Sequence, residues 1–271
     1  MSSHVSRTAR SKAGALVVSA AALLGTGLLH PAPAAAAGPA PSGTPARATA
    51  AVLDLDGTSR TPAIHGEDEA YDTASIVKVD ILAALLLRAQ DEGRQLTERE
   101  RERAEPMIRR SDNAAANALW RQIGRAPGLA AANKRLGLTS TKGGPGAKWG
   151  LTRTTASDQI RLLRAVFDTG GTAREGSGGL SATSRAYIRT LMRQVVPEQT
   201  WGVSAIGGAG SGPALKNGWL QRNTTGRWDV NSVGQVTVEG HRYLVAVLSD
   251  GSASMGDGVS LVERTARAAV R

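Results

Sequence analysis

Three short runs of residues carry groups that could do chemistry together. In Ser75-Ile76-Val77-Lys78 a hydroxyl and an amine stand three positions apart, and on a helix such positions share a face. At the start of a helix, free N–H groups and the positive end of the dipole favour a developing anion on the serine. A lysine desolvated beside it can lose its proton and activate the hydroxyl as a nucleophile. No other serine in the chain has lysine at the third position after it. Ser111-Asp112-Asn113 falls between two helical stretches. Its hydroxyl could hand a proton to a leaving nitrogen and its Asn amide could hold a substrate carbonyl, although Ser, Asp and Asn are also the residues that cap helices. Lys216-Asn217-Gly218-Trp219 lies in a strand-like stretch. There the lysine offers charge for a carboxylate, and the glycine allows a close approach to the backbone.

The surrounding pattern says which elements must position these groups. Thr49 to Leu55 is a run of small and β-branched residues ending at Asp56-Gly57, a strand entering a turn. From Ala74 to Gln90, Val77, Ile81, Leu82, Leu85 and Leu86 recur at helical spacing, and Gly93 stops the helix. Leu96 to Arg110 and Asn113 to Ile123 continue as helices. Thr155 with Asp158 three residues on, and Ser181, each read as the cap of a further helix. Between them, Gly137 to Thr152 is a loop rich in Gly, Lys and Thr. Leu215 to Leu220, Trp228 to Val238 and His241 to Leu248 read as strands, the last two joined at Glu239-Gly240. Met255 to Arg271 closes the chain as a helix. A strand, a helical stretch, three strands and a last helix predict an α/β sheet with an all-helical lobe inserted over about residues 80–200.

Taken together, the three motifs resemble those of the serine β-lactamases and penicillin-binding proteins, whose signature is S-x-x-K, S-D-N and K-T-G in that order. The layout is most like class A β-lactamases. The resemblance implies an α/β (α+β) fold with a mixed sheet of about five strands flanked by helices. It implies Ser75 as nucleophile, Lys78 as its proton acceptor and Ser111 as a proton relay. Asn113 would hold the substrate amide, and Lys216 would support a substrate carboxylate and the Ser111 proton path. Asn217 would make a further carboxylate contact, Gly218 would let substrate lie against the strand, and the backbone N–H groups of Ser75 and Trp219 would form the oxyanion hole. Arg222 or Arg227 could add a carboxylate contact or serve only the surface. No cofactor is implied. The implied partner is a β-lactam or a peptidoglycan stem peptide.

Three departures narrow that implication. Ser75 and Ser111 are only 36 residues apart, a short interval for class A, so the cleft walls are expected to be trimmed. Asn217 stands where the pattern has Thr or Ser. Between Asp112 and Asp158 there is no Asp or Glu, so the glutamate that activates the deacylating water in class A has no counterpart in that stretch. The expectation is an enzyme that acylates at Ser75 and releases the acyl group slowly. A D-Ala-D-Ala carboxypeptidase and a non-catalytic wall-binding module are the competing readings.

The chain ends and composition bound the setting. Arg7, Arg10 and Lys12, the apolar run Ala13 to Leu29 and the small residues up to Ala37 predict a secretory signal peptide over 1–37, leaving no stable membrane span after its removal. Residues 38–46 read as a Pro- and Gly-containing linker and 47–271 as the functional domain. With the leader gone, its three basic residues take the formal charge from +10 to +7, which suits anionic cell-wall polymers. The arginines are interspersed with acids, as in 98–105, which argues against nucleic acid. With no cysteine, thiol catalysis and disulfides are excluded. His65 and His241 are the only histidines beyond the leader and read as strand or surface residues, not a triad.

Overall fold

The computed structural model describes residues 45–168, 178–208 and 212–270; the expected signal peptide, and all but the end of the expected linker, lie outside them. Residues 43–271 form one compact unit.

The strands β1 (Arg47–Asp54), β2 (Ala63–His65), β5 (Ala214–Gln221), β6 (Trp228–Val238) and β7 (His241–Asp250) make a five-stranded sheet in the order β2-β1-β7-β6-β5. Every pairing is antiparallel, which corrects the expected mixed sheet. The reason is connectivity: β5, β6 and β7 follow one another as a meander, and β1 joins the edge of β7, so no parallel crossover arises. The meander closes on Glu239-Gly240, both with positive φ (50° and 86°), as a two-residue hairpin turn requires.

Both faces of the sheet are covered, which explains why Leu244 to Leu248 reads as an unbroken apolar run. Ala51, Leu53, Leu244, Ala246 and Leu248 pack against the helical stretch, while Val52, Leu215, Val245 and Val247 pack against Val262 and Ala266 of the final helix α7 (Met255–Ala269). Between the two-residue strand β3 (Tyr71–Asp72) and β5 come α1 (Val77–Asp91), α2 (Glu98–Arg109), α3 (Asn113–Gln122), α4 (Arg125–Leu136), α5 (Ala156–Phe167) and α6 (Ala182–Arg193). Helix α1 is buried along nearly its whole length, the central post of the helical side.

The caps form where the sequence marks them: Thr155 Oγ1 accepts from Asp158 N (3.2 Å) and Ser181 Oγ from Ser184 N (3.2 Å). Helix α4 has no counterpart in the sequence reading. Its first turn holds Pro127 and Gly128, which argue against a helix, yet proline is tolerated in a first turn and α4 packs on α1. A further two-stranded ribbon, β3 with β4 (Arg153–Thr154), ties the segment before Ser75 to the segment before α5. His65 and His241 are exposed strand residues. Among the described residues, no helix is long and apolar enough to cross a membrane.

Candidate active site

Ser75 lies not in α1 itself but in a 3₁₀ turn, Ala74–Ile76, that runs into it. Ala74, the residue before Ser75, has φ +47°, a left-handed conformation that an alanine adopts only when its surroundings impose it. Those surroundings are specific. Thr73 N donates to Thr152 O (2.8 Å). From β6, Asn231 Nδ2 donates to Asp72 O (2.9 Å) and Thr73 O (3.1 Å), while its Oδ1 accepts from Ser249 N (3.0 Å). Across from the turn, β5 comes so close that a Cβ built on Gly218 would stand 2.6 Å from Ser75 N and 2.7 Å from Ile76 N. Only glycine fits there.

Lys78 follows one turn on, fully buried. Its Nζ donates to Ser111 O (2.6 Å), Ser111 Oγ (3.0 Å) and Asn113 Oδ1 (2.8 Å). Burial pushes this amine down to about 7, against the pull of nearby Asp112. Ser111 is itself held at φ +58° by the break between α2 and α3, and Asp112 caps α3 through Ala115 N (2.7 Å). The tripeptide is therefore a helix cap and a side-chain cluster at once. From β5, Lys216 Nζ reaches Ser111 Oγ (3.1 Å) and Asn217 O (2.8 Å). This second amine is also fully buried, and burial, followed by the charge of Lys78, holds it well below the ordinary lysine range. One hydroxyl thus bridges two lysines. Its single proton can be given to either amine in its neutral form while the other donates to the oxygen, so the ladder Lys78–Ser111–Lys216 is a path along which a proton can move.

The structure brings Lys78, Ser111, Asn113 and Lys216 into one hydrogen-bonded cluster and sets Gly218 against the turn that carries Ser75. It does not bring the Asn217 side chain there, contrary to the expected carboxylate contact. Alternation along β5 sends Lys216 and Gly218 to the side of Ser75 and sends Asn217 and Trp219 to the other. Asn217 is fully buried, with Nδ2 donating to Gln199 O (2.9 Å) and Trp201 O (3.0 Å), and the Trp219 ring packs 6.0 Å from that of Trp201. Arg222 is ion-paired with Asp72, and Arg227 bonds Gly251 O (3.1 Å).

Two further residues complete the site. The ring of Trp149, in a 3₁₀ turn of the acid-free loop, lies 4.7 Å from Lys78 Nζ and is fixed by Nε1–H donation to Asn117 Oδ1 (2.7 Å). In this acid-free loop it is an aromatic face, not a carboxylate, that meets the amine. The sequence reading passed over Trp149 because a lone tryptophan in a Gly-rich loop has no motif. It passed over Asn231 because its role is defined only by the chain it touches. The acid that ends the acid-free stretch, Asp158, is buried and accepts from Ser140 N (2.8 Å), Thr141 Oγ1 (2.7 Å) and Arg161 (2.5 Å); its bonds are those of a loop anchor.

Asp80, two residues past Lys78, is fully buried with neither carboxyl oxygen in a well-formed hydrogen bond, and burial pushes its carboxyl up to about 7 against the weak pull of its own backbone N–H and Gln159. A carboxyl whose folded value lies above its unfolded one contributes stability at acid pH that is lost as pH rises through about 7. Asp80→Asn is therefore expected to raise the melting temperature relative to wild type by about 3 °C or more beyond its effect at pH 5 when measured at pH 8, since the loss runs from about 3.8 to about 7, as thermal unfolding at the two pH values would read. A variant equally or more destabilised at pH 8 would refute the assignment.

A family model described as the beta-lactamase enzyme family matches residues 100–271, which spans Ser111 and Lys216 and begins after Lys78. The chain belongs to the beta-lactamase enzyme family. Among solved structures, it is similar to PBP-A (25% identity, TM-score 0.65, 84% of this chain and 90% of that one) and to a PBP-A mutant described as an acyl-enzyme complex with penicillin G (25% identity, TM-score 0.65, 82% and 88%). The extended-spectrum β-lactamase TLA-1 shares the fold at 17% identity (TM-score 0.67, 83% and 93%). Among curated proteins, it is 30% identical over 179 residues to "Putative lipoprotein LppW" of Mycobacterium tuberculosis and of Mycobacterium bovis, covering 64% of this chain. The chain spans about half the length (54%) of these relatives.

Proposed function

We propose that this family member is an exported serine hydrolase that forms an acyl-enzyme at Ser75 with β-lactams and releases it slowly. The observation that carries the reading is the buried ladder Lys78–Ser111–Lys216 one helical turn from Ser75. In the acylation step Ser75 Oγ attacks the lactam carbonyl, its proton passes to neutral Lys78, and Ser111 hands its proton to the departing ring nitrogen while taking one back from Lys78, to which it is bonded. The C–N bond breaks, and an ester to Ser75 remains. Asn113, Oδ1 of which holds Lys78, is exposed on its outer side, where its amide can meet substrate. The N–H groups of Ser75 and Trp219 are the proposed oxyanion donors, each typically worth about 3 kcal/mol of transition-state stabilisation.

Slow release follows from the groups around Lys78. The acid-free loop puts the Trp149 ring over the amine, and Asp158 is committed to Ser140, Thr141 and Arg161. Without a general base for water, deacylation forgoes a factor of about 10²–10⁴. Export rests on the leader-like residues 1–37. Intact-mass spectrometry of the protein mixed with benzylpenicillin, followed over hours, tests the reading: one persistent adduct on Ser75 is expected. The absence of any adduct would overturn acylation, and an adduct that vanishes within seconds would overturn slow release.

A further inference from the structure

On the reading of Ser75 as the acylated serine, we propose that this cleft selects acyl donors whose end beside the scissile bond is uncharged (an ester or an amide) over donors with a free carboxylate there. Recognition of a carboxylate needs free N–H or O–H donors and, in a half-buried cleft, positive charge; an anion desolvated without them is costly. Of the side chains that the sequence offers for this task, Asn217 and Arg222 are committed elsewhere and Lys216 is buried.

Asn217 has both amide hydrogens on backbone carbonyls, Gln199 O and Trp201 O. The atom it has left is Oδ1, a buried acceptor without a partner on the far face of β5, so the side chain has no donor to offer a carboxylate. Lys216 Nζ is fully buried and bonded to Ser111 Oγ and Asn217 O, and burial, followed by the charge of Lys78, disfavours its charged form. Arg222, at the end of the same sheet edge, is ion-paired with Asp72 and lies 3.6 Å from Asp229. Arg153 is also directed to Asp72, at 3.6 Å. The Asp72 carboxylate thus answers both arginines, and Asp229, whose carboxyl burial pushes up to about 7, answers Arg222 once it is ionised. A neutral ester or amide end leaves no charge unpaired in the same space and loses nothing to these arrangements.

The selection is read by comparing benzylpenicillin with its methyl ester as acylating agents, each second-order rate constant for the Ser75 adduct being divided by that compound's alkaline hydrolysis rate. The normalised ester is expected to react at least as fast as the free acid. At pH 8, above the value of about 7 to which burial pushes Asp229, Asp229→Asn releases Arg222 from one carboxylate and is expected to shift the ratio toward the free acid by about threefold. A wild-type protein that prefers the free acid overturns the inference while leaving acylation at Ser75 intact. If neither compound labels the protein, or labelling survives Ser75→Ala, the reading of Ser75 itself falls, and the inference with it.

Discussion

Lys78→Met is expected to slow the formation of the penicillin adduct by about 10²–10⁴-fold, the usual contribution of a positioned general base. Methionine keeps much of the volume of the buried lysine, so the comparison removes the amine without opening a cavity. The wild-type pH profile supplies a second readout. Lys78 can accept the serine proton only when neutral, and burial brings its amine down to about 7, so the acylation rate is expected to rise with pH through about 7 and level off above it. The variant should lack that limb. Stability follows with a worked sign: an unfolded lysine binds its proton up to about 10.5, the folded one only up to about 7. Wild type therefore gains stability from this residue as pH rises between those values, and the advantage of Lys78→Met over wild type should shrink along the same interval. An adduct formed by Lys78→Met within threefold of the wild-type rate would remove Lys78 as the base and point to Lys216, through Ser111, instead.

Gly218→Val is expected to abolish adduct formation, with a loss of at least about 10²-fold, through displacement of the serine by a fraction of an ångström. The argument is steric. A Cβ at 218 meets Ser75 N at 2.6 Å, Ile76 N at 2.7 Å and Thr73 O at 2.9 Å; all three are backbone atoms, which cannot swing aside as a flexible side chain would. The turn they belong to is pinned from β6 by Asn231 and through Thr73 by Thr152, so relief must come from parting β5 and the turn. Overpacking of this kind typically lowers stability by about 1–3 kcal/mol. Because a variant could lose adduct by unfolding, its circular dichroism and melting curve are recorded alongside. A folded Gly218→Val that labels at the wild-type rate would show that β5 does not press on the turn as described. The milder Gly218→Ala is expected to fall between the two.

The elements around these residues were legible to different degrees. The strands β1, β5, β6 and β7, α1 and the capped helices α5 and α6 were readable because each is set by local periodicity or by a cap within three residues, whereas the short strands β2, β3 and β4 span only two or three residues and show no period. Helix α4 was not, since Pro127 and Gly128 argue locally against a helix that packing on α1 permits. The antiparallel character of the sheet was also hidden, because strand direction depends on where β1 returns to the sheet after the other strands are in place. Trp149 and Asn231 carry no motif, and their parts in the site come from contacts with Lys78 and with the segment before Ser75.

By itself, the sequence determined the chemical inventory of this protein. Ser75 and Lys78 share a helical face because they stand three positions apart, and the stretch between Asp112 and Asp158 holds no acid under any fold. Tertiary structure decided what those groups can do. Burial against the helices lowers the Lys78 amine, because a low-dielectric interior disfavours charge, and the fold sets the Trp149 ring against it. The pleat of β5 makes neighbours diverge, so Lys216 joins Ser111 while Asn217, one position on, faces away from Ser75 and is tied to the chain between α6 and β5.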